Sequence, residues 1–398
     1  MPTIFISAGE ASGEHYGAML IEALRKQSPT EPQFVGMGGP RMVEAGLDRI
    51  VRAEDVAVMG ITEIVRHLPR IYAEFRKLKA SIRQRKPDIA VLIDFPDIHF
   101  KLAEEFHAQG IPVIFFVSPQ LWAWKKHRIK LVQKYIDRML VIFPFEEPFY
   151  RDHGVHAEFV GHPLADLTLP TISREQFASE NNFDPNKQWI GLLPGSRIKE
   201  IRANLPEMLE AARWLGANEI EYLLPIAQTL TAPQRDEVRQ LVHAHGLGLP
   251  VRLVSDARAA LHHARASIVA SGTATVEAAL IGNPFVVVYR VSPLTYAIAK
   301  RVVTVPHVAM ANLIAGKRVV PELIQHDFTA SNIVRELRPL LPDGPSRKSM
   351  IQELAALREL LQPSHNQTAI DRVAEITLQM LHTGLGAHAT ATALSGKD

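Results

Sequence analysis

Two carboxylates lie at the end of an apolar run in the first half of the chain. The run over 88–94 ends at Asp94, and Asp97 follows Pro96. A hydrophobic strand often delivers a general base to its carboxyl end, because burial raises the pKa of a carboxyl group towards the working range. Asp94 fits the simpler role of a cap on the following helix. We therefore predict Asp97, whose preceding turn Pro96 fixes, as the catalytic base.

A turn of small residues after the first apolar run supplies further candidates. Gly9 and Gly13 let a backbone approach a ligand closely, and the helix expected from about His15 offers its first N–H groups to an anion or hydroxyl. A tight turn with Ser12 as the helix cap explains the same residues equally well. Glu10 and His15 belong to this segment and are alternatives to Asp97 as the base.

An arginine follows a Pro-Gly turn in the second half of the chain. Ser196 and Arg197 come directly after the apolar run 189–193 and before a predicted helix over 200–215. A guanidinium group keeps its charge and presents a planar fork of donors, which suits a diphosphate. Surface arginines are usually only solvated, but this one lies at the carboxyl end of the first strand of its series. We predict that Ser196 and Arg197 bind a nucleotide diphosphate.

A second candidate for nucleotide binding follows the apolar run 267–270. Ser271, Gly272 and Thr273 form a turn before a helix, whose N-terminus can receive a pyrophosphate. Glu277 lies one helical turn further on, where its carboxylate can accept hydrogen bonds from two ribose hydroxyls. A plain Ser-Gly-Thr helix cap is the ordinary alternative, but a second nucleotide-type fold makes a binding role the better hypothesis.

Composition limits the remaining chemistry. The chain has 44 basic and 42 acidic residues, a net charge of +2, so no overall field favours nucleic acid. It has no cysteine, which excludes thiol catalysis and disulfides. No Asp-x-Asp triplet occurs, and the 17 histidines show no metal-ligand spacing. We therefore predict no catalytic metal and no cofactor.

Short β-branched runs alternate with longer amphipathic segments along the whole chain. This alternation is typical of βαβ units and parallel sheets, and 398 residues exceed what one core usually serves. We predict an α/β fold with two Rossmann-like domains, 1–165 and 166–360, facing across a cleft, joined by a linker within 162–173. Residues 382–398 are expected to form a disordered tail. The predicted strands are 3–7, 33–36, 88–94, 112–117, 138–143, 158–161, 189–193, 221–226, 251–254, 267–270 and 285–289.

A basic amphipathic segment lies between Arg66 and Lys86. It contains eight basic residues and the single acid Glu74, interleaved with apolar side chains. A second basic and aromatic patch covers 122–128. Both patterns suit an anionic membrane surface, although a solvated helix with a packed apolar stripe is the commoner explanation. The N-terminus does not resemble a signal peptide, and no transmembrane helix is expected.

Taken together, these segments resemble the lipid-A-disaccharide synthase family over nearly the whole chain up to the tail. Each motif is weak by itself, but their order and number make chance agreement improbable. The motifs are AGEASGE at 8–14, GGPRM at 38–42, MGITE at 59–63, DFPD at 94–97, SPQLWAW at 118–124, PFE at 144–146, GHPL at 161–164, LPGSR at 193–197, SGT at 271–273 with Glu277, YR at 289–290 and NLIAG at 312–316. Glu14 departs from the family, which usually has Asp there, and this puts a direct catalytic role for that side chain in doubt.

The resemblance implies a GT-B type fold and an inverting glycosyl transfer. It also implies that a last helix over 366–381 returns to the first domain, as in several folds of this type. The donor would be UDP-2,3-diacylglucosamine, the acceptor 2,3-diacylglucosamine 1-phosphate, and the products lipid A disaccharide 1-phosphate and UDP. It implies that Asp97, Arg197 and Asn312 are important for activity, with Asn312 in the nucleotide-binding set and Glu277 as the ribose ligand. It also implies peripheral association with the cytoplasmic face of the inner membrane, and it is compatible with a homodimer. The alternatives are a UDP-N-acetylhexosamine 2-epimerase and a non-catalytic sugar-nucleotide or glycolipid-binding protein.

Overall fold

The structure is a computed structural model that describes residues 1–56, 61–292, 296, 305–363 and 367–383, with the side chains of 61–68 left undescribed. The chain forms two compact units. The first unit comprises Met1–Asp166 and Leu361–Asp398, and the second unit comprises Leu167–Leu360. Strands and helices alternate in both.

The helices and strands have the following bounds. The strands are β1 (Thr3–Ala8), β2 (Gln33–Gly38), β3 (Leu47–Arg52), β4 (Ile89–Ile93), β5 (Val113–Phe116), β6 (Arg138–Val141), β7 (Ala157–Phe159), β8 (Gln188–Leu193), β9 (Ile220–Pro225), β10 (Val251–Val254), β11 (Ala266–Ala270), β12 (Phe285–Tyr289) and β13 (Glu322–Ile324). The α-helices are α1 (Ala11–Gln27), α2 (Pro40–Glu44), α3 (Ala53–Val56), α4 (Ile61–Arg85), α5 (Pro96–Ala108), α6 (Ile129–Tyr135), α7 (Glu146–Asp152), α8 (Arg174–Asn181), α9 (Ile198–Leu215), α10 (Ala232–His245), α11 (Ala257–His263), α12 (Thr273–Ile281), α13 (Met310–Ala315), α14 (Ala330–Leu337), α15 (Pro345–Leu361) and α16 (Ala369–Thr383).

The first unit is built on a parallel sheet with the strand order β3-β2-β1-β4-β5-β6-β7. The middle strands β4 and β5 are apolar throughout, and every residue of both is buried, because helices cover both faces of such a sheet. Phe5, Leu92, Phe106 and Phe115 belong to its core. The strand order reverses between β1 and β4, where the loops beyond the carboxyl ends diverge and leave a crevice for ligands.

The second unit repeats this plan with a parallel sheet in the order β10-β9-β8-β11-β12-β13. Its reversal point lies between β8 and β11. The loops that follow these two strands carry Ser196 and Arg197 on one side and Ser271 to Thr273 on the other. The predicted fold class of two Rossmann-like domains is therefore confirmed.

Two strands, β3 and β13, escaped prediction. Each lies at the edge of its sheet and pairs with one neighbour. An edge strand is less buried, so its sequence lacks a continuous apolar run: β3 reads LDRIVR, and β13 has only three residues.

The last helix, α16, begins at Ala369 and packs against α1, where the Gln27 amide donates to the Asp371 carboxylate at 3.0 Å. It extends to Thr383, so His382 and Thr383 are helical and the disordered tail predicted from 382 starts too early. Their side chains bond back to the preceding turn, at the carbonyls of Leu378 and Gln379. The rest of the predicted tail, 384–398, lies outside the described residues, as do the motif positions 59 and 60 and position 366.

Candidate active site

The corner between β4 and α5 has an unusual backbone. Asp94 and Phe95 both have φ of 52°, in the left-handed region that side-chain-bearing residues avoid at a cost of about 1 kcal/mol or more each. The Phe95 ring lies against the backbone of Gly9, where an added Cβ would stand 2.4 Å from ring carbons. Gly9 is therefore needed for the close approach of the two loops at the reversal point of the first sheet.

Asp94 is the carboxylate with the more perturbed environment. Burial, and after it the negative charge of Glu10, raises the pKa of Asp94 to about 6. The residue at the N-cap of α5 is Phe95, and the helix has no side-chain cap hydrogen bond. The interpretation of Asp94 as a helix cap is thus wrong, because the left-handed corner turns the chain before the helix starts.

Asp97 lies in the first turn of α5 and is mostly exposed, with 69% of its side chain accessible. Its carboxylate pairs with the guanidinium group of Arg128. Asp94, at the end of the strand, is less exposed than Asp97. The structure therefore places both carboxylates at the same strand end, with Asp94 the less exposed of the two, and the role of Asp97 as the base stays a prediction.

The loop after β1 is also shorter than predicted. Helix α1 starts at Ala11 with Glu10 as its N-cap residue, so Ser12 is inside the helix and cannot be its cap. His15 lies on the second turn, with its ring 6.1 Å from that of Tyr16. The negative charge of Glu10 acts on the Asp94 carboxylate, so the two side chains belong to the same site.

The carboxylate of Glu14 makes a structural hydrogen bond within the first unit. Its Oε1 accepts a hydrogen bond from the backbone N–H of Arg41 at 2.9 Å. The carboxyl group fills the space beside Gly39, where a Cβ would stand 2.3 Å away. Glu14 therefore joins α1 to the turn before α2.

In the second unit, Arg197 is the N-cap residue of α9, at the end of β8. Its guanidinium donates to Glu200 Oε1 at 2.9 Å, and the N–H of Ser196 donates to Glu200 Oε2 at 3.2 Å. Glu200 thus occupies the same donors that were predicted to hold a diphosphate. Glu200 was not among the predicted site residues, although an acid at the third position of a helix often accepts hydrogen bonds from backbone N–H groups at the helix start.

The turn after β11 has open space beside its glycine. Gly272 has φ of 147°, and a Cβ built on it meets no atom within 4 Å, so a ligand can reach this backbone. Helix α12 begins at Thr273 without a side-chain cap on Gly272, which leaves its first N–H groups facing the turn. Burial raises the pKa of Glu277 on this helix, while the charge of Arg258 lowers it and that of Asp256 raises it. The structure therefore places Ser271, Gly272, Thr273 and Glu277 at the reversal point of the second sheet, and their role in nucleotide binding stays a prediction.

Asn312 has a different environment from the one predicted for a nucleotide ligand. Its side chain is fully buried, and its amide nitrogen donates to the Val320 carbonyl at 2.9 Å and to Glu322 Oε1 at 2.7 Å. Its amide oxygen accepts from the N–H groups of Val319 and Val320 at 2.7 and 2.9 Å. Both donors and both lone pairs are used within the protein, so Asn312 shapes the chain between α13 and β13. The bonds join residues seven to ten positions apart, which no local sequence pattern reveals.

Within the described residues there is no group of three or more histidine, aspartate or glutamate side chains that could hold a metal ion. The same ranges contain no helix with both the length and the apolarity needed to cross a membrane.

Comparison with known proteins identifies the relatives of this chain. A family model described as lipid-A-disaccharide synthetase matches residues 4–376. The chain is 64% identical over 389 residues to the lipid-A-disaccharide synthase of Acidobacterium capsulatum, covering 96% of each protein. It is 53% identical to that of Koribacter versatilis, covering 96% of this chain and 99% of the relative.

Solved structures share the fold at low sequence identity. A putative UDP-N-acetylglucosamine 2-epimerase from Listeria monocytogenes has a TM-score of 0.62 at 15% identity, with 96% of both chains covered. A glycosyltransferase from Rickettsia africae has a TM-score of 0.59 at 12% identity, with 97% of this chain and 99% of that chain covered. The fold therefore accommodates both an epimerase and a glycosyltransferase, and the sequence relatives decide between them.

Proposed function

The chain belongs to the lipid-A-disaccharide synthase family, and from that premise we propose that it joins UDP-2,3-diacylglucosamine to 2,3-diacylglucosamine 1-phosphate and releases UDP. It is a glycosyltransferase. The structural observation that carries the proposal is the pair of strand-end sites, each at the reversal point of its own sheet. One offers donors suited to a diphosphate, and the other offers a partly buried carboxylate with a raised pKa.

The second unit holds the donor nucleotide in this proposal. The diphosphate accepts hydrogen bonds from Arg197, the Ser196 N–H and the first N–H groups of α12 beyond Gly272. Glu277, one turn along that helix, accepts from the two ribose hydroxyls. These groups also stabilise the negative charge that develops on the leaving UDP. Asn312 keeps the segment before β13 in shape without touching the donor.

The first unit supplies the base, and we assign this role to Asp94 instead of Asp97. The acceptor 6-hydroxyl attacks C1 of the donor sugar while the bond from C1 to the UDP oxygen breaks, which inverts C1. Asp94 takes the proton of the hydroxyl, and the electron pair leaves with UDP. A carboxyl group with a pKa near 6 is ionised at neutral pH yet basic enough to share this proton in the transition state. Asp97, paired with Arg128, orients the acceptor beside it.

The epimerase hypothesis is not favoured. It rested on a shared fold, and the epimerase neighbour is 15% identical whereas the synthase relative is 64% identical. An inverting transfer also needs an acceptor, which an epimerase does not use.

We propose that the chain associates with the membrane through a smaller surface than the whole amphipathic segment between Arg66 and Lys86. The apolar side chains Leu78 and Ile82 of α4 are buried in the core of the first unit. Several of the basic side chains are paired: Lys79 and Arg83 with Glu105, Arg70 with Asp55, and Arg85 with Asp48. Trp124 is 45% exposed, with the Lys125 ammonium 4.1 Å from its ring centre, and Tyr72 is 63% exposed. Aromatic side chains beside cations suit the headgroup region of an anionic bilayer, here the inner membrane at its cytoplasmic face.

The experiment that tests the function uses the purified chain with both acylated sugars. We expect a disaccharide 1-phosphate and one equivalent of UDP by mass spectrometry, and no UDP when the monosaccharide acceptor is omitted. A change of configuration at C2 of the donor without acceptor would contradict the proposal.

A further inference from the structure

We propose that His99 is a positioning residue for Asp94, and that its ring fixes the left-handed corner that aims the Asp94 carboxylate. This inference rests on the proposed function, because it gives the corner a purpose only if Asp94 acts on the acceptor. His99 belongs to the first turns of α5, and its side chain has no accessible surface. It therefore touches no substrate and acts through Asp94.

The hydrogen bonds of His99 determine the protonation of its ring. The Nδ1 atom is 2.5 Å from the Asp94 carbonyl oxygen, and Nε2 is 2.8 Å from Ser7 Oγ. A carbonyl oxygen can only accept, so Nδ1 carries the hydrogen. Burial lowers the pKa of His99 to about 4, which keeps the ring neutral and leaves Nε2 to accept the hydroxyl hydrogen of Ser7. The ring thus links β1 to the corner after β4.

The corner needs such a link because its backbone is unfavourable. Asp94 and Phe95 are consecutive left-handed residues with side chains, a conformation that persists only where the surroundings hold it. The Nδ1–H bond fixes the Asp94 carbonyl, and the Asp94 N–H donates to the Phe116 carbonyl at 2.9 Å. The Phe95 ring stands edge-on to the His99 ring, at 5.8 Å and 86°. The peptide groups on both sides of Asp94 are therefore restrained.

The same link sets the distance between Asp94 and Glu10. Ser7 lies on β1, three residues before Glu10, and is itself fully buried. Because Ser7, His99 and the Asp94 carbonyl form one hydrogen-bonded chain, the loop that carries Glu10 and the corner that carries Asp94 cannot shift independently. Loss of the link is expected to let water reach Asp94 and to move its carboxylate away from the acceptor hydroxyl.

Three variants separate positioning from folding. His99→Asn keeps a donor near the place of Nδ1 but loses the bond to Ser7, His99→Leu loses both bonds, and Ser7→Ala removes the far end of the chain. His107→Leu, on the same helix but with its ring against Tyr135, is the matched control. Thermal unfolding and UDP binding are measured for every variant.

We expect His99→Leu to lower kcat by about 100-fold with UDP binding unchanged, because a displacement of about 1 Å can cost this much. We expect His99→Asn to recover to within about tenfold of the wild type, Ser7→Ala to lose about three- to tenfold, and His107→Leu to lose less than about twofold. The acidic limb of the pH profile should move below the wild-type value in His99→Leu, since a solvated Asp94 loses the burial that raises its pKa. A loss of overall stability that leaves this corner intact does not move this limb.

Equal losses for His99→Asn and His99→Leu with an unmoved acidic limb would overturn the inference, as would a kcat within about threefold of wild type for a folded His99→Leu. If His99→Leu does not fold, His99→Asn and Ser7→Ala decide the question. They are judged by the same shift of the acidic limb and by the losses of kcat given above for each of them. Failure of the proposed function is distinguishable, because it appears in the wild type as UDP release without dependence on the acceptor.

Discussion

Replacing Asn312 by alanine separates a structural role from nucleotide contact. The change removes four hydrogen bonds, two of them buried and two partly buried. It leaves the N–H groups of Val319 and Val320, the Val320 carbonyl and one Glu322 oxygen without that partner. A buried polar group left unpaired costs about 1 to 3 kcal/mol and a partly buried one less, so we expect a loss of about 3 to 5 kcal/mol in the free energy of unfolding.

Thermal unfolding followed by circular dichroism measures this loss. For a unit of this size, about 2 to 4 °C per kcal/mol predicts a fall of roughly 10 °C in Tm. UDP binding by titration calorimetry, well below the new Tm, is expected to stay within about threefold of wild type. The control is Asn332→Ala, which removes one exposed bond to the Asp327 carbonyl and should cost under about 1 kcal/mol. An Asn312→Ala protein that keeps its Tm but loses UDP binding would refute the structural assignment.

Three further predictions concern the two strand-end sites and the membrane surface. Asp94→Asn should lower kcat by about 10² to 10⁴-fold, whereas Asp97→Asn should lose about tenfold or less in steady-state assays, and the reverse order would restore Asp97 as the base. Glu200→Gln should tighten UDP binding by up to about fivefold in calorimetry, because the diphosphate no longer competes with the Glu200 carboxylate for Arg197. The exposed Arg197–Glu200 ion pair that is lost contributes about 1 kcal/mol at most. Weaker UDP binding would mean that Glu200 assists the binding of the donor. Trp124→Ala should reduce co-sedimentation with anionic liposomes at low salt while Trp214→Ala, an exposed tryptophan of the second unit, does not, and equal binding by both would count against this surface.

The sequence predicts the two sheets well because their middle strands are buried on both faces. Runs such as IAVLI in β4 admit few other structures. The glycine turns after β1 and β11 could also be located, because parallel sheets gather ligand sites at the carboxyl ends of strands. The edge strands β3 and β13 lack that strong pattern and were missed.

The choice between Asp94 and Asp97 could not be made from the sequence. It depends on a left-handed corner packed on Gly9, which lies more than eighty residues away in the chain. Local rules give a short polar residue before a helix the role of a cap, and the structure uses Phe95 at that place. Asn312 presents the same difficulty, because its hydrogen-bond partners include the backbone of Val320 and the side chain of Glu322, eight and ten residues further along the chain.

The most direct test of the central claim is the initial rate of UDP release at saturating donor, with and without the monosaccharide acceptor, between about pH 5 and about pH 9. Asp94 must be ionised to accept the proton, and its pKa is about 6 in the folded protein. We therefore predict a rate that requires the acceptor, is steady near neutral pH and falls about tenfold per pH unit below about 6. UDP release without acceptor, or an acceptor-dependent rate that shows no acidic limb near pH 6, would contradict a transfer in which Asp94 is the base.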